Sequence, residues 1–421
     1  MRYNVKVTIL ATSFIFHIMS ARTVESLRIA ILGSGISGST AARTLVEQVK
    51  QKRSTINIEV TVFEAGYGIG GRTSTRITRD EFKYQFDHGA QYIGTPKTNT
   101  FRNTLDQWIE DKWVQKWTGN FFNLHLGKTS ENQDTANDCP TSESLTINME
   151  KEHDAKERYV GYPGMHSICR HLLHHENIIV KLHTRANAIQ NFNGKWELND
   201  DKTNEMLGTY DWLIASDRLS GGYNRRDLKG ADVKEFTSTT KQIESIKSLT
   251  AMVVFEKPLG INIDTVQLVG NNYDKFGSLG WISRDSSKPG RLRSDGKECW
   301  ILQSHPEAAN ELLKGKRNIQ QIRDMAKDIL VQDFLASIPY LVKDTDTKLS
   351  IPNISYAVGH RWGAAFPIAS QNFKKVESQI IPSKHFVACG DYFGEFSGRI
   401  EGSYLSGLSA ANQLLDEILA N

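Results

Sequence analysis

Leu27-Arg-Ile-Ala-Ile-Leu-Gly-Ser-Gly-Ile-Ser-Gly38 decides how the rest of this chain reads. Ile29 to Leu32 is short, apolar and rich in branched residues, which suits a strand covered on both faces. Gly33, Gly35 and Gly38 follow in G-x-G-x-x-G spacing, and Ala41, Ala42, Leu45, Val46 and Val49 then fall on one helical stripe. Gly33 permits the tight turn, Gly35 lets backbone approach a pyrophosphate, and Gly38 lets helix and strand pack closely. The diphosphate then rests on the free N–H groups and positive dipole end of the helix.

Context strengthens this reading. A second strand, Ile58 to Phe63, ends at Glu64, whose carboxylate is placed to accept the adenosine ribose hydroxyls. The polar insert Gln51-Lys-Arg-Ser-Thr55 accounts for the long spacing between Gly38 and Glu64. Strand, glycines, helix, strand and acid in this order predict a dinucleotide site.

The chain has 421 residues, enough for two domains or one large discontinuous fold. Its formal charge of +3, from 51 basic against 48 acidic residues, implies no nucleic-acid partner. No fixed-period repeat is visible. Arg2 and Lys6 precede the apolar run Val7 to Met19, and Ser20-Ala21 follow. That order of basic, hydrophobic and small residues predicts a secretory signal over 1–21 and a secreted or endomembrane-lumen location. An uncleaved anchor or organelle presequence is the alternative. The run is short for a membrane span, and no second one is long enough, so no integral span is expected.

Four cysteines allow three full pairings. Cys169 in a helix pattern and Cys389 in an apolar strand read as buried thiols, while Cys139, in a polar loop, can pair with Cys299. No C-x-x-C is present, which argues against dithiol redox chemistry and structural zinc. His166, His171, His174, His175 and His183 cluster without an acidic partner pattern, so no metal is expected.

Gly70-Gly71-Arg72 follows Glu64, and its guanidinium can clamp a phosphate in fork geometry. Then comes Asp87-His-Gly-Ala-Gln-Tyr92. Together with Glu64, these residues resemble the FAD-dependent amine oxidase superfamily, and Gly89-Ala-Gln-Tyr92 looks most like its renalase branch. Tyr159-Val-Gly-Tyr-Pro-Gly-Met-His-Ser-Ile-Cys-Arg-His-Leu172 is similar to that branch's strand, turn and helix. The Arg361-Trp362 pair resembles a renalase feature near the site. Phe386-Val-Ala-Cys-Gly-Asp-Tyr-Phe393, with Gly398-Arg-Ile-Glu-Gly-Ser-Tyr-Leu-Ser-Gly407, resembles the closing flavin motif. Ser216-Asp217-Arg218 stands where the family usually places a small residue and proline.

The resemblance implies an α/β fold: a Rossmann-type FAD-binding domain with a discontinuous α+β substrate domain built on an antiparallel sheet. The FAD-binding domain is expected over 27–94, 159–218 and 383–421, and the substrate domain over 95–158 and 219–382. Residues 127–157 are polar and read as a long surface loop or a partly disordered insert. Strands are expected at Trp196 to Leu198 and Tyr210 to Ala215, continuing a sheet. Others at Thr250 to Glu256, Val266 to Val269, Leu279 to Ser283 and Glu298 to Ser304 form an antiparallel sheet with one wet face. Arg317 to Ile338 has the spacing of an amphipathic helix.

The cofactor-binding residues expected are Gly33, Gly35, Gly38, Glu64, Gly71, Arg72, Asp391, Glu401, Gly402 and Ser403. Gly402 and Ser403 would aim helix N–H groups at the flavin N1–C2 edge. Gln91, Tyr92 and Trp362 are the candidate catalytic residues. Monoamine oxidases attach flavin to a cysteine upstream of the closing strand, and Arg361 to Ser383 has none, so FAD is expected to be noncovalent. The chemistry implied is hydride transfer from a small substrate to flavin N5, with O2 then reduced to H2O2. Renalase-like substrates are isomeric reduced nicotinamide dinucleotides. The alternatives are an amine or thioether oxidase of the prenylcysteine oxidase kind, and a flavin-binding protein without turnover.

Overall fold

The computed structural model describes residues 26–51, 56–128, 145–152, 156–191, 193–216, 228, 233–240, 243–269, 276–342, 350–368 and 373–420. The expected signal segment, Cys139, Asp217 and Arg218 lie outside the described residues.

Ser26–Leu32 sits inside a six-stranded sheet with the order Ile178–Lys181, Asn57–Phe63, Ser26–Leu32, Trp212–Ala215, Phe386–Ala388 and Gln379–Ile381. The first five strands are parallel and the last is antiparallel. Alternation divides the opening strand between two cores. Ile29 and Ile31 pack with Ala41, Leu45 and Val62, while Ala30 and Leu32 pack with Phe63, Trp196 and Phe386. Burial on both faces is why the strand is apolar throughout. The helices Ile36–Gln51 and Ile400–Ala420 pack together so closely that a Cβ on Gly407 would come 2.2 Å from the Ser37 carbonyl.

Trp196 does not continue this sheet. It belongs to an antiparallel meander of Ala186–Gln190, Trp196–Asp200 and Met206–Tyr210, which covers one face of it. The turn is held locally: Asn191 Oδ1 accepts from the Asn193 and Lys195 amides, each at 3.0 Å. The expected strand over Tyr210 to Ala215 is broken at Asp211, and only Trp212–Ala215 joins the parallel sheet.

The second sheet has seven strands in the order Ile354–Ile368, Glu244–Phe255, Glu298–Ser304, Leu279–Arg284, Thr265–Val269, Phe121–Lys128 and Leu145–Lys151. All its pairs are antiparallel except Thr265–Val269 with Phe121–Lys128. One face packs Ala251, Val253, Phe255 and Leu302 under Leu330 and Phe334 of the helix Ile319–Leu341. Asn318 and Gln321 form a capping box that sets the start of that helix, two residues beyond the expected Arg317. The other face is not simply wet: Met252, Val254, Cys299 and Ile301 bury against Tyr84 and Phe86 from the first part of the chain. The polar stretch 127–157 is not one loop, because Leu145–Lys151 is an edge strand of this sheet.

Cys169 and Cys299 are buried free thiols, and Cys139, the partner expected for Cys299, lies outside the described residues. Burial pushes their pKa values up, to about 11 and about 12. His171 lies flat against Trp113, with ring centroids 4.8 Å apart.

Candidate active site

The glycine fingerprint forms as its spacing requires. Gly33 has φ +102°, and its N–H donates to the Phe63 carbonyl at 2.8 Å. A Cβ on Gly38 would lie 2.2 Å from the Gly33 carbonyl and 2.7 Å from Ser216 Oγ. A Cβ on Gly35 would meet no atom within 4 Å, whereas one on Gly71 would lie 3.5 Å from Gly35 Cα. Two glycines from separate motifs thus flank one open space, which fits a pyrophosphate approached by bare backbone. Ser216 closes the turn from behind, its hydroxyl donating to the Leu32 carbonyl at 2.6 Å.

Glu64 stands at the tip of the second strand, but its oxygens already have donors. Oε2 accepts from Ser34 N at 3.0 Å and Ser34 Oγ at 2.7 Å, and Oε1 accepts from Gly66 N at 2.6 Å. A carboxylate offers about four acceptor positions, so little capacity is left for a ribose unless Ser34 Oγ turns away.

Arg72 and Asp391 meet in a bidentate fork, with Nη1–Oδ2 at 2.5 Å and Nη2–Oδ1 at 2.7 Å. The Arg72 carbonyl accepts from Ala90 N at 2.9 Å, and a Cβ on Gly89 would come 2.0 Å from that carbonyl oxygen. Trp362 completes the convergence. Its indole N–H donates to the His88 carbonyl at 2.9 Å, and its ring stacks on His88 with centroids 5.2 Å apart.

The loop Asp87–Tyr92 lies against the inner face of the seven-stranded sheet. His360, Thr250, Gln303 and Trp281 form one cross-strand row there. Gln303 Nε2 donates to the Gly89 carbonyl at 2.9 Å, and Trp281 is 5.7 Å from the Tyr92 ring. Arg158 Cζ lies 4.5 Å from the centre of that Tyr92 ring. Gln91 is buried and folds back on its own loop, its Nε2 donating to the Asp87 and Gly89 carbonyls. Its geometry is that of a brace.

One expected side chain, that of Glu401, points elsewhere. The buried Glu401 carboxylate accepts from Lys97 N, Thr98 N and Thr98 Oγ at 2.8–3.0 Å, so it anchors the start of the helix Asn99–Glu110. Gly402 is packed on the Phe396 carbonyl, and Ser403 Oγ donates to the Arg399 carbonyl at 3.1 Å.

Sequence reasoning missed a buried charge cluster beneath the loop. Asp87 receives Lys288 Nζ at 3.1 Å, Arg291 Nη2 at 2.6 Å and Thr75 Oγ1 at 2.6 Å. Asp285 pairs with the same two cations. Burial opposes the charge on Asp87, but Arg291 and Lys288 outweigh it and hold the carboxyl well below its usual range. His88 and His360 stay neutral above it. Burial, then Arg76, brings His88 down to about 4. Burial, then His88, Arg323 and Arg76, brings His360 down to about 3. The only sequence signal for the cluster was Asp87 itself, since its cations lie in a charged turn far along the chain.

A family model described as an NAD(P)-binding Rossmann-like domain matches residues 31–108. Among solved structures, the chain is similar to a putrescine oxidase double mutant redesigned in cofactor binding, with a TM-score of 0.57 and 12% identity. It is also similar to an oxidoreductase from Methanosarcina mazei, with a TM-score of 0.60 and 11% identity. Each match covers 93% of this chain and 100% of the other. The fold is thus a Rossmann-like α/β domain with a parallel sheet and a separate, mostly antiparallel sheet, as in the amine oxidase fold.

Proposed function

We propose that the chain is an FAD-dependent oxidase acting on a small substrate, with O2 as the final acceptor. The observation that carries this reading is the open space at Gly35, flanked by Gly71 and continued by Arg72 toward Asp391. Gly33, Gly35, Gly71, Arg72, Glu64 and Asp391 would hold the dinucleotide noncovalently, with the backbone around Gly402 nearer the ring. Bound FAD supplies hydride acceptance and reaction with oxygen. The chain's own work is orientation and exclusion of water: Trp362 packs on His88 and Gly89, Tyr92 lies beside Trp281 and Arg158, and Gln91 fixes the loop.

The preferred substrate class is an isomeric reduced nicotinamide dinucleotide. The row His360, Thr250, Gln303 and Trp281 carries no carboxylate, and Asp87 is already paired with cations. A cationic amine entering here would bury its charge without a partner in that row, which is costly. A flat, uncharged ring suits an indole and two neutral imidazoles. The likeness to putrescine oxidase favours a second reading, an amine or thioether oxidase. We further propose that residues 1–21 direct the chain to the secretory path; among the described residues no helix is long and apolar enough to cross a membrane.

The test is the colour of the purified protein, followed by anaerobic bleaching and peroxide release with isomeric reduced nicotinamides and with amines. Bleaching by the nicotinamides supports the preferred reading, and bleaching by amines alone supports the second. A yellow protein bleached by neither would be a flavin-binding protein without turnover.

A further inference from the structure

A pocket of about 330 Å³ opens on the side of the Asp87 cluster away from the glycine loops, between Phe82–Lys83 and the segment 285–294. Its volume is in the range of small-ligand sites. The floor is made by Asp285 and Arg291, which are tied to each other and to the cluster. Arg291 donates from Nε to the Pro163 carbonyl at 2.7 Å, from Nη1 to Asp285, and from Nη2 to Asp87. The Asp285 oxygens are taken by Lys288 and Arg291. This floor is held in place by these pairs, and the Asp285 charge is offset by the two cations beside it.

The walls hold unused donors. Lys83 Nζ makes one hydrogen bond, to the Arg79 carbonyl at 3.1 Å, out of three it can donate. Arg293 spends Nε and Nη2 on Asp295 and the Phe82 carbonyl, while its Nη1 makes no hydrogen bond among the described residues. Ser286 Oγ accepts from Cys299 N at 2.7 Å and keeps its own proton to give. The nearby Asp80 is occupied, its Oδ1 accepting from Thr78 Oγ1 and the Phe82 and Lys83 amides. Exposed Phe82 and Leu292 supply an apolar rim. Donors exceed acceptors, and two of them are cationic.

We propose that this pocket binds a small oxyanion, a phosphate or carboxylate group on a short body, held by Lys83 Nζ, Arg293 Nη1 and Ser286 Oγ. It is separate from the dinucleotide space and does not depend on that assignment. The test is calorimetric titration of the full chain as purified, with inorganic phosphate and separately with acetate, against chloride at matched ionic strength. One saturable site is expected, weakened roughly tenfold by Lys83→Gln and by Arg293→Gln. Gly35→Asp, which fills the dinucleotide space, should leave it intact. Saturation by phosphate alone assigns a phosphate group, and saturation by both assigns a general oxyanion site. Lack of saturation by either, unchanged binding in Lys83→Gln, or loss of binding in Gly35→Asp would overturn the proposal. Arg293 also braces Phe82, so the exposed Lys83 carries the test if Arg293→Gln does not fold.

Discussion

Arg72 and Asp391, 319 residues apart in the chain, grip each other through both guanidinium Nη atoms and both carboxylate oxygens. The fork joins the second glycine motif to the end of the closing strand, so it fixes the width of the space between them. It also sets how Arg72 can meet a phosphate, because Asp391 holds both Nη atoms and Nη1 also faces the Ala365 carbonyl at 3.4 Å. Lysine has one point charge and cannot form the fork. Arg72→Lys is therefore expected to weaken FAD retention about tenfold or more while lowering stability by only about 1 kcal/mol, since Arg72 is partly exposed. Fluorescence titration with FAD and a urea melt would check both. Unchanged FAD affinity would remove Arg72 from the site.

Gly35 and Gly38 should separate binding from folding. A methyl group at Gly35 enters open space, so Gly35→Ala should melt like the parent yet lose FAD. At Gly38 the same methyl would sit 2.2 Å from a backbone carbonyl, so Gly38→Ala should cost stability outright, by about 1–3 kcal/mol or more. Absorbance in the flavin bands and thermal melts of the two variants are the measurements. Equal melting losses would mean that Gly35 is as tightly packed as Gly38.

Glu64 is committed on both oxygens, which makes Ser34 the informative partner. Glu64→Ala leaves the Ser34 and Gly66 amides without their acceptor and should cost about 1–3 kcal/mol of stability as well as FAD affinity. Ser34→Ala removes one competing donor, so FAD affinity should hold or rise. A fall in affinity for Ser34→Ala would mean that the hydroxyl itself meets the dinucleotide.

Stability should fall with acid from the pH at which histidine titrates in the unfolded chain. His88 and His360 have folded values of about 4 and about 3, below their ordinary 6.5. The unfolded chain therefore binds protons first as pH drops. Stability is lost from about pH 6.5 down to about 4, by up to about 1.4 kcal/mol per unit for each histidine. Asp87 has the same sign in a lower window: its contribution is present above 3.8 and is lost as pH falls below it. Urea melts at pH 7 and pH 5 should differ, and His360→Gln should remove about half the difference. Equal midpoints at the two pH values would show that the imidazoles titrate as in water.

What could be read from the chain was what local sterics dictate. Gly33, Gly35 and Gly38 declare a turn, an approach and a close contact by spacing alone, and the run from Ile29 to Leu32 declares burial on both faces. Side-chain partners across the fold were not legible. Glu401 sits at the start of the helix expected to face the flavin, yet its carboxylate reaches Lys97 and Thr98. Leu145–Lys151 was hidden by polar composition because it is an edge strand, paired on one side only, with no need for an apolar run. The cations opposing Asp87 were invisible for the same reason as the Arg72 fork, since they come from a distant turn.

That cluster gives the largest expected stability effect. Lys288 is fully buried, 3.1 Å from Asp87, 2.8 Å from Asp285 and 3.5 Å from Gln91 Oε1. Two carboxylates there face two cations. Lys288→Met keeps the stem but leaves Asp87 and Asp285 sharing Arg291 alone, an uncompensated negative charge in the interior. The expected loss is about 3–5 kcal/mol, seen as a lower urea midpoint at unchanged slope. Adding Asp285→Asn restores the balance of one carboxylate to one guanidinium, so the double variant should recover part of the loss. If it is no more stable than Lys288→Met, the two carboxylates do not share one charge balance.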